Sequence, residues 1–273
     1  ETLTSWGRLG GLAVDRLGFV YVSNFHDKVW RIDREGHVEV LADGLYGTSG
    51  NAIDSRGRLL QASFFSNTIS RIDRYGQVEM LATEGLSGPV GIAVDPDDNF
   101  YVVNCRANAV TFVTDQGKVS DFARSELFAC PNGIVRLSDG TLLVTNFSNN
   151  HIVRVDTNGA ASIFATLPTE KGVHGNAHLA IARDHVYVTR IKDNYIYRIA
   201  LEGRSIVRMA GNGTPIDSDG AASSAGVARP NGIATGPFEQ FVYFNTISHG
   251  WGTGNKSEGC RLVSPWRRLP VYF

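Results

Sequence analysis

The sequence predicts an all-β fold, a six-bladed β-propeller of four-stranded antiparallel blades in one domain over residues 1–273, and three observations predict it. A short motif recurs six times: Gly11-Leu-Ala-Val-Asp15, Gly50-Asn-Ala-Ile-Asp54, Gly91-Ile-Ala-Val-Asp95, Gly133-Ile-Val-Arg136, His178-Leu-Ala-Ile181 and Gly232-Ile-Ala-Thr235. Its central residues Ala13, Ala52, Ala93, Val135, Ala180 and Ala234 lie 39, 41, 42, 45 and 54 positions apart, close to the roughly 40 to 50 residues of one four-stranded blade. The 30 glycines stand among many Val, Ile, Tyr and Phe, with no long stretch of helical period, the mark of short strands joined by tight turns.

Each copy opens a blade, so the blades start near residues 11, 50, 91, 132, 177 and 231. A second strand follows a turn in every copy, as at Phe19 to Ser23, Leu59 to Ser63 and Leu142 to Thr145. A third alternates with period two, as in Lys28-Val-Trp-Arg-Ile-Asp33 and His151-Ile-Val-Arg-Val-Asp156. Gly36, Gly76, Gly117, Gly159 and Gly203 then supply the positive φ of a hairpin into a fourth strand. Small central residues in the first strands suit strands crowded round an axis. Thr2 to Trp6 precedes the first copy as Val38 to Ala42 precedes the second, so the N-terminal segment is expected to close the last blade as its outer strand. Residues 265–273 fall beyond the repeat.

Charge narrows the partners. With 26 basic and 27 acidic residues, nothing electrostatic favours nucleic acid or an anionic membrane. No run approaches the ~18 apolar residues of a membrane span, and the N-terminus lacks a signal-peptide build. A soluble chain is expected, exported to a compartment such as the periplasm or kept in the cytoplasm. Cys105, Cys130 and Cys260 form no CxxC pair and an odd set, which reads as thiols.

The G-[IL]-A-V-D strand, the R-I-D third strand and the insertion from Ala210-Gly-Asn-Gly-Thr-Pro to Arg229-Pro-Asn-Gly-Ile233 resemble NHL-repeat propellers. Pro131-Asn-Gly-Ile134 and Pro230-Asn-Gly-Ile233 resemble the wider senescence-marker-protein/gluconolactonase superfamily, and the resemblance covers residues 1 to 264. It implies a lactone or small-ester hydrolase with a divalent cation, calcium first, held on the axis by a Glu, two Asn and an Asp at the blade starts. Carried over position by position, Asn132 matches. Gly10 stands at the Glu position, Ser49 at the first Asn position, and Ala177, or Asn176 with a one-residue slip, at the Asp position.

Strand polarity puts the starts of first strands and the ends of second strands on one face, the top, together with the longest loops. Functional groups gather there. Asn132 and Asn231 offer amide oxygens to a cation or ligand; the alternative for each is an Asx turn. His174 and His178, in a start that departs from the repeat, are the candidate catalytic imidazoles, with packing roles as the alternative. Arg190 is the one charged residue among the second-strand ends and is expected to hold a ligand carboxylate bidentately, or else to pair with Asp193 or Glu170. Asn176, Asn104, Asn146 and Trp251 complete the expected small-molecule site. Cys130 is either a nucleophile or a small buried hydrophobe. Asp15, Asp54 and Asp95 recur on the bottom face, as turn caps do. Two functions fit: a lactone or ester hydrolase with an altered cation site, or a non-catalytic ligand-binding or protein-interaction propeller, with a lyase or isomerase left open. The first predicts polar convergence at the channel mouth and the second an exposed aromatic patch. The polar, varied blade starts favour the first.

Overall fold

The computed structural model describes residues 9–168, 174–218, 220–239, 241–247 and 268–270. Blade 1 is β1–β4 (Leu12–Val14, Val20–Ser23, Val29–Ile32, Val38–Ala42) and blade 2 is β5–β8 (Thr48–Ile53, Leu59–Ser63, Thr68–Ile72, Val78–Ala82). Blade 3 is β9–β12 (Pro89–Val94, Phe100–Asn104, Ala109–Val113, Val119–Arg124) and blade 4 is β13–β16 (Pro131–Arg136, Leu142–Asn146, His151–Val155, Ala161–Thr166). Blade 5 is β17–β20 (Asn176–Ala182, His185–Arg190, Tyr195–Ala200, Ile206–Ala210). A sixth sheet holds β21–β23 (Pro230–Thr235, Phe241–Thr246, Arg268–Pro270).

This corrects the expectation of six four-stranded blades. Among the described residues five sheets have four strands and the sixth has three, with Arg268–Pro270 paired to β22 as its third strand. The tail beyond the sequence repeat thus supplies a strand that the repeat pattern did not assign. The N-terminal strand expected over Thr2 to Trp6 lies outside the described residues.

Inner strands β1, β5, β9, β13, β17 and β21 follow one another round the axis, with β21 returning to β1. Second strands such as Leu59–Ser63 and Leu142–Asn146 are buried throughout, because neighbouring blades cover both their faces. Fourth strands are exposed along their first half and buried at their end, as in Val38–Ala42, where Glu39 and Val40 are exposed and Leu41 and Ala42 buried. The cores accordingly lie between blades: Leu60, Ala62 and Ile69 pack with Phe100, Val102 and Val113 across blades 2 and 3, and Leu143 and Ile152 pack with Val188 and Tyr197 across blades 4 and 5. Each blade alone has no sealed core. The ring is the folding unit.

Side chains from second strands stitch one blade to the next. Ser23 Oγ donates to the Ser49 carbonyl (2.5 Å), Thr189 Oγ1 to the Asn231 carbonyl (2.5 Å), and Thr145 Oγ1 to the Ala177 carbonyl. The last link closes the circle, with Asn245 Nδ2 donating to the Gly10 carbonyl (3.2 Å) and Asn231 Nδ2 to the Leu9 carbonyl (2.6 Å).

Cys105 and Cys130 form a disulfide, which corrects their assignment as thiols and removes Cys130 as a nucleophile; Cys260 lies outside the described residues. The bond ties the β10–β11 loop of blade 3 to the start of blade 4. Closing a loop of 25 residues stabilises the fold by about 2 to 3 kcal/mol. Reduction is expected to lower the melting temperature by roughly 4 to 10 °C for a domain of this size. Thermal melts with and without reductant check this, and coincident melts would contradict it.

Candidate functional site

Near the upper end of the channel, five of the six inner strands pass the next so closely that their backbone leaves no room for a side chain. A Cβ on Gly11 would stand 2.6 Å from Gly50 Cα, and one on Gly133 would stand 2.7 Å from His178 Cα. Gly91 approaches Gly133 Cα at 3.1 Å and Gly232 approaches the Gly10 carbonyl at 2.7 Å in the same sense. Glycine fills this position in five copies of the motif, and His178 fills it in blade 5. The motif's exception is therefore the one that brings an imidazole to the ring.

His178 lines a channel of about 270 Å³ whose other walls include Asn51, Ala52, Ile134 and Ala180. Burial pushes its pKa from 6.5 down to about 4, since a low-dielectric wall disfavours the imidazolium. Its backbone is pinned by Thr189, whose Oγ1 accepts from the His178 N–H (3.2 Å) and lies 3.1 Å from the His178 carbonyl. Among the described residues no hydrogen bond engages the ring. The result is a neutral imidazole on a fixed backbone facing the channel.

The asparagines of the top face are satisfied unequally. The amide oxygens of Asn51, Asn132 and Asn176 are buried without a partner, a costly arrangement unless a ligand or water completes it. Each sits beside a register shift in its inner strand, at Thr48/Asn51, Pro131/Ile134 and Asn176/Leu179, where a bulge re-aims side chains. Asn231, expected as Asn132's partner in holding an ion, gives its amide to ring closure through Leu9. Asn104 and Asn146 donate through both amide hydrogens within the protein, Asn104 to Val102 and Thr111 and Asn146 to Leu127 and Asn149. They serve as loop pins. Trp251 lies outside the described residues.

Arg190 is completely buried. It donates to the Pro168 carbonyl (2.6 Å) and to Asn150 Oδ1 (3.0 Å), and its Nε lies 3.3 Å from Asp193 Oδ2. The pairing with Asp193 is the alternative to holding a ligand carboxylate. His174 stands at the same blade start with Nδ1 3.1 Å from Asn150 Oδ1. Burial raises the Asp193 pKa, with the Tyr197 hydroxyl and Arg190 opposing it. Asp15, Asp54 and Asp95 accept turn N–H groups, as at Leu17 and Phe19 for Asp15, which is the capping role expected of them.

The cation implied by the gluconolactonase resemblance meets a poor ligand set. A Cβ at Gly10 would lie 2.7 Å from Ser23 Oγ and 2.8 Å from the Ser49 carbonyl. Ser49 Oγ donates to the Pro89 carbonyl (2.8 Å) with the Ala62 carbonyl also at 3.1 Å, and Ala177 is buried. Asn132 alone keeps its place. Such a site lacks the charged oxygens that a hard cation needs, so the residues present do not fit a cation held in that family's manner.

Two features carried little sequence signal. At the bottom the channel walls Val14 and Ile53 also line a wider cavity of about 1220 Å³, rimmed by Arg16, Arg56, Tyr75 and Arg136. On the top rim Phe25, Phe64 and Phe65 stack mutually at 5.4 to 5.6 Å, Tyr46 joins Phe65 at 5.3 Å, and the Arg106 guanidinium lies 4.5 Å from the Phe64 ring centre. Tyr46 and Phe65 are exposed. These rings come from three separate loops, so only the folded ring gathers them.

Residues 16–210, from just after β1 to the end of blade 5, match the virginiamycin B lyase family. The chain belongs to that family. A virginiamycin B lyase from Staphylococcus aureus is 22% identical and superposes with a TM-score of 0.66 over 89% of this chain and 80% of its own. A catalytically inactive histidine-to-alanine form of the S. aureus enzyme, with quinupristin, gives 19% and 0.65 over 88% and 77%. A gluconolactonase from Xanthomonas campestris is 17% identical with a TM-score of 0.71 over 88% and 84%. At these identities the superpositions establish the propeller alone. No curated protein matches the sequence. Among the described residues no helix is long and apolar enough to cross a membrane.

Proposed function

We propose that this virginiamycin B lyase family member is an enzyme that opens a cyclic ester by elimination at the upper end of the channel, with His178 as the proton acceptor. The observation that carries it is the replacement of a ring glycine by a half-buried imidazole on the channel wall, which desolvation keeps neutral above about pH 5. A neutral imidazole accepts a proton without first losing one. In elimination it takes the proton from the carbon next to a carbonyl, a carbon–carbon double bond forms, the ester carbon–oxygen bond breaks, and the carboxylate leaves with the bonding pair. The buried, unpartnered amide oxygens of Asn132 and Asn176 at the starts of blades 4 and 5 offer acceptors to the donor groups of a peptide-like ester. Lactone hydrolysis, the finer reading from sequence, has less support, because the cation set that would polarise the carbonyl is absent at Gly10 and Ser49. The disulfide favours an oxidising compartment over the cytoplasm.

A binding-only propeller is the second reading, and the exposed aromatic rim of Tyr46 and Phe65 favours it. One experiment separates the three. The protein is incubated in oxygen-18 water with quinupristin and with simple lactones, and products are separated from substrate by chromatography, weighed by mass spectrometry and examined for ultraviolet absorbance from a new double bond. Elimination gives an unlabelled product of unchanged mass with a new double bond. Hydrolysis adds one labelled water, and a binding module returns the substrate intact; either result sinks the elimination reading. His178→Asn is expected to lower kcat roughly a hundredfold, the usual size of a positioned base.

A further inference from the structure

The loop joining the second and third strands ends in asparagine in blades 2 to 5, at Asn67, Asn108, Asn150 and Asn194. In three of them the amide oxygen accepts a backbone N–H from the start of the next blade. Asn67 Oδ1 takes Gly88 N–H (2.8 Å), Asn108 Oδ1 takes Cys130 N–H (2.8 Å) and Asn194 Oδ1 takes Arg229 N–H (2.9 Å). The repeat fixes the orientation of this amide, with its oxygen toward the following blade.

Blade 4 keeps the orientation and changes the donors. Asn150 is buried, and its Oδ1 lies 3.0 Å from Arg190 Nη2 and 3.1 Å from His174 Nδ1. A guanidinium only donates, so the Asn150 atom facing Arg190 is the oxygen. The same oxygen faces His174 and can only accept. An unprotonated Nδ1 would set two lone pairs against each other. Arg190 cannot turn away, being held by the Pro168 carbonyl and by Asp193.

From this we infer that Asn150, locked by the buried Arg190, holds His174 as its Nδ1–H tautomer, which leaves the ring's lone pair on Nε2 as a second proton-accepting site on the top face of blade 5. Nε2 has no partner among the described residues. Asn150 and Arg190 are positioning residues, and His174 is the group they orient. The use of that lone pair rests on the proposed enzymatic reading; the tautomer is a property of the resting protein.

The test is a long-range proton–nitrogen correlation spectrum of the whole protein labelled with nitrogen-15 in histidine, recorded at neutral pH, with the His174 signals assigned by their loss in His174→Gln. The parent is expected to show a protonated Nδ1 and an unprotonated Nε2. Asn150→Ala should move the proton to Nε2 in most molecules, and Asn150→Asp, which keeps the acceptor oxygen, should restore it to Nδ1. A parent spectrum with the proton on Nε2 overturns the inference, as does an Asn150→Ala spectrum identical to the parent's. If Asn150→Ala does not fold, the parent and Asn150→Asp decide: a protonated Nδ1 in both sustains the inference and its absence from either overturns it. Loss of turnover in the oxygen-18 experiment would remove the enzymatic reading and leave the tautomer standing, so the two failures are told apart.

Discussion

Gly11→Ala is expected to destabilise the protein by about 3 kcal/mol or more, at the upper end of what overpacking costs. The added methyl would lie 2.6 Å from Gly50 Cα, 2.8 Å from Asn51 N and 2.8 Å from the Ser49 carbonyl oxygen. All three are backbone atoms of the next inner strand, so no side chain can swing aside. Relief requires β1 and β5 to separate, which strains the Ser23 link to Ser49 and every inter-blade core in turn. Gly57→Ala is the control: its Cβ meets nothing within 4 Å, but its φ of +78° is unfavourable for alanine, a cost of about 1 kcal/mol. Urea unfolding of the two variants against the parent gives the comparison. Equal losses would show that the ring of glycines is not packed to contact.

Much of this architecture was legible because a closed ring repeats its constraints. Gly11, Gly50, Gly91, Gly133 and Gly232 recur since each must pass the next strand at contact distance, and Asp15, Asp54 and Asp95 recur since each caps the same turn. Departures from a repeat were legible as departures, which is how His174, His178 and Arg190 came to attention. Their directions were not. Arg190 and Asp193 are three residues apart in any reading, and only the packing of Pro168 and Asn150 over them decides that the guanidinium turns inward. Contacts between loops of different blades left no periodic trace either. The Cys105–Cys130 bond joins blade 3 to blade 4, and the third strand of the last sheet comes from residues 268–270, past the end of the repeat. Asn150 was hidden by the regularity itself, since Asn67, Asn108 and Asn194 make the same residue a loop pin in three neighbouring blades.

The neutral state of His178 has a thermodynamic consequence that needs no substrate. Its pKa falls from 6.5 in the unfolded chain to about 4 in the fold. Between those values the unfolded state binds the proton and the folded state does not, so unfolding takes up a proton and stability falls as pH falls. The effect is absent above about pH 7, develops between 6.5 and about 4, and is complete below about 4. Its size is on the order of 3 kcal/mol, from about 1.4 kcal/mol for each pH unit between the two values. His178→Asn removes the titrating group and keeps a polar side chain at the channel wall. The buried carboxylates titrate alike in parent and variant, so their contribution cancels in the difference. Urea unfolding at a series of pH values is therefore expected to show the parent losing ground to His178→Asn by on the order of 3 kcal/mol from pH 7 to pH 4. A difference that stays constant across that range would mean that His178 charges freely in the folded channel, and the imidazole would then be exposed to water rather than held neutral by the channel wall.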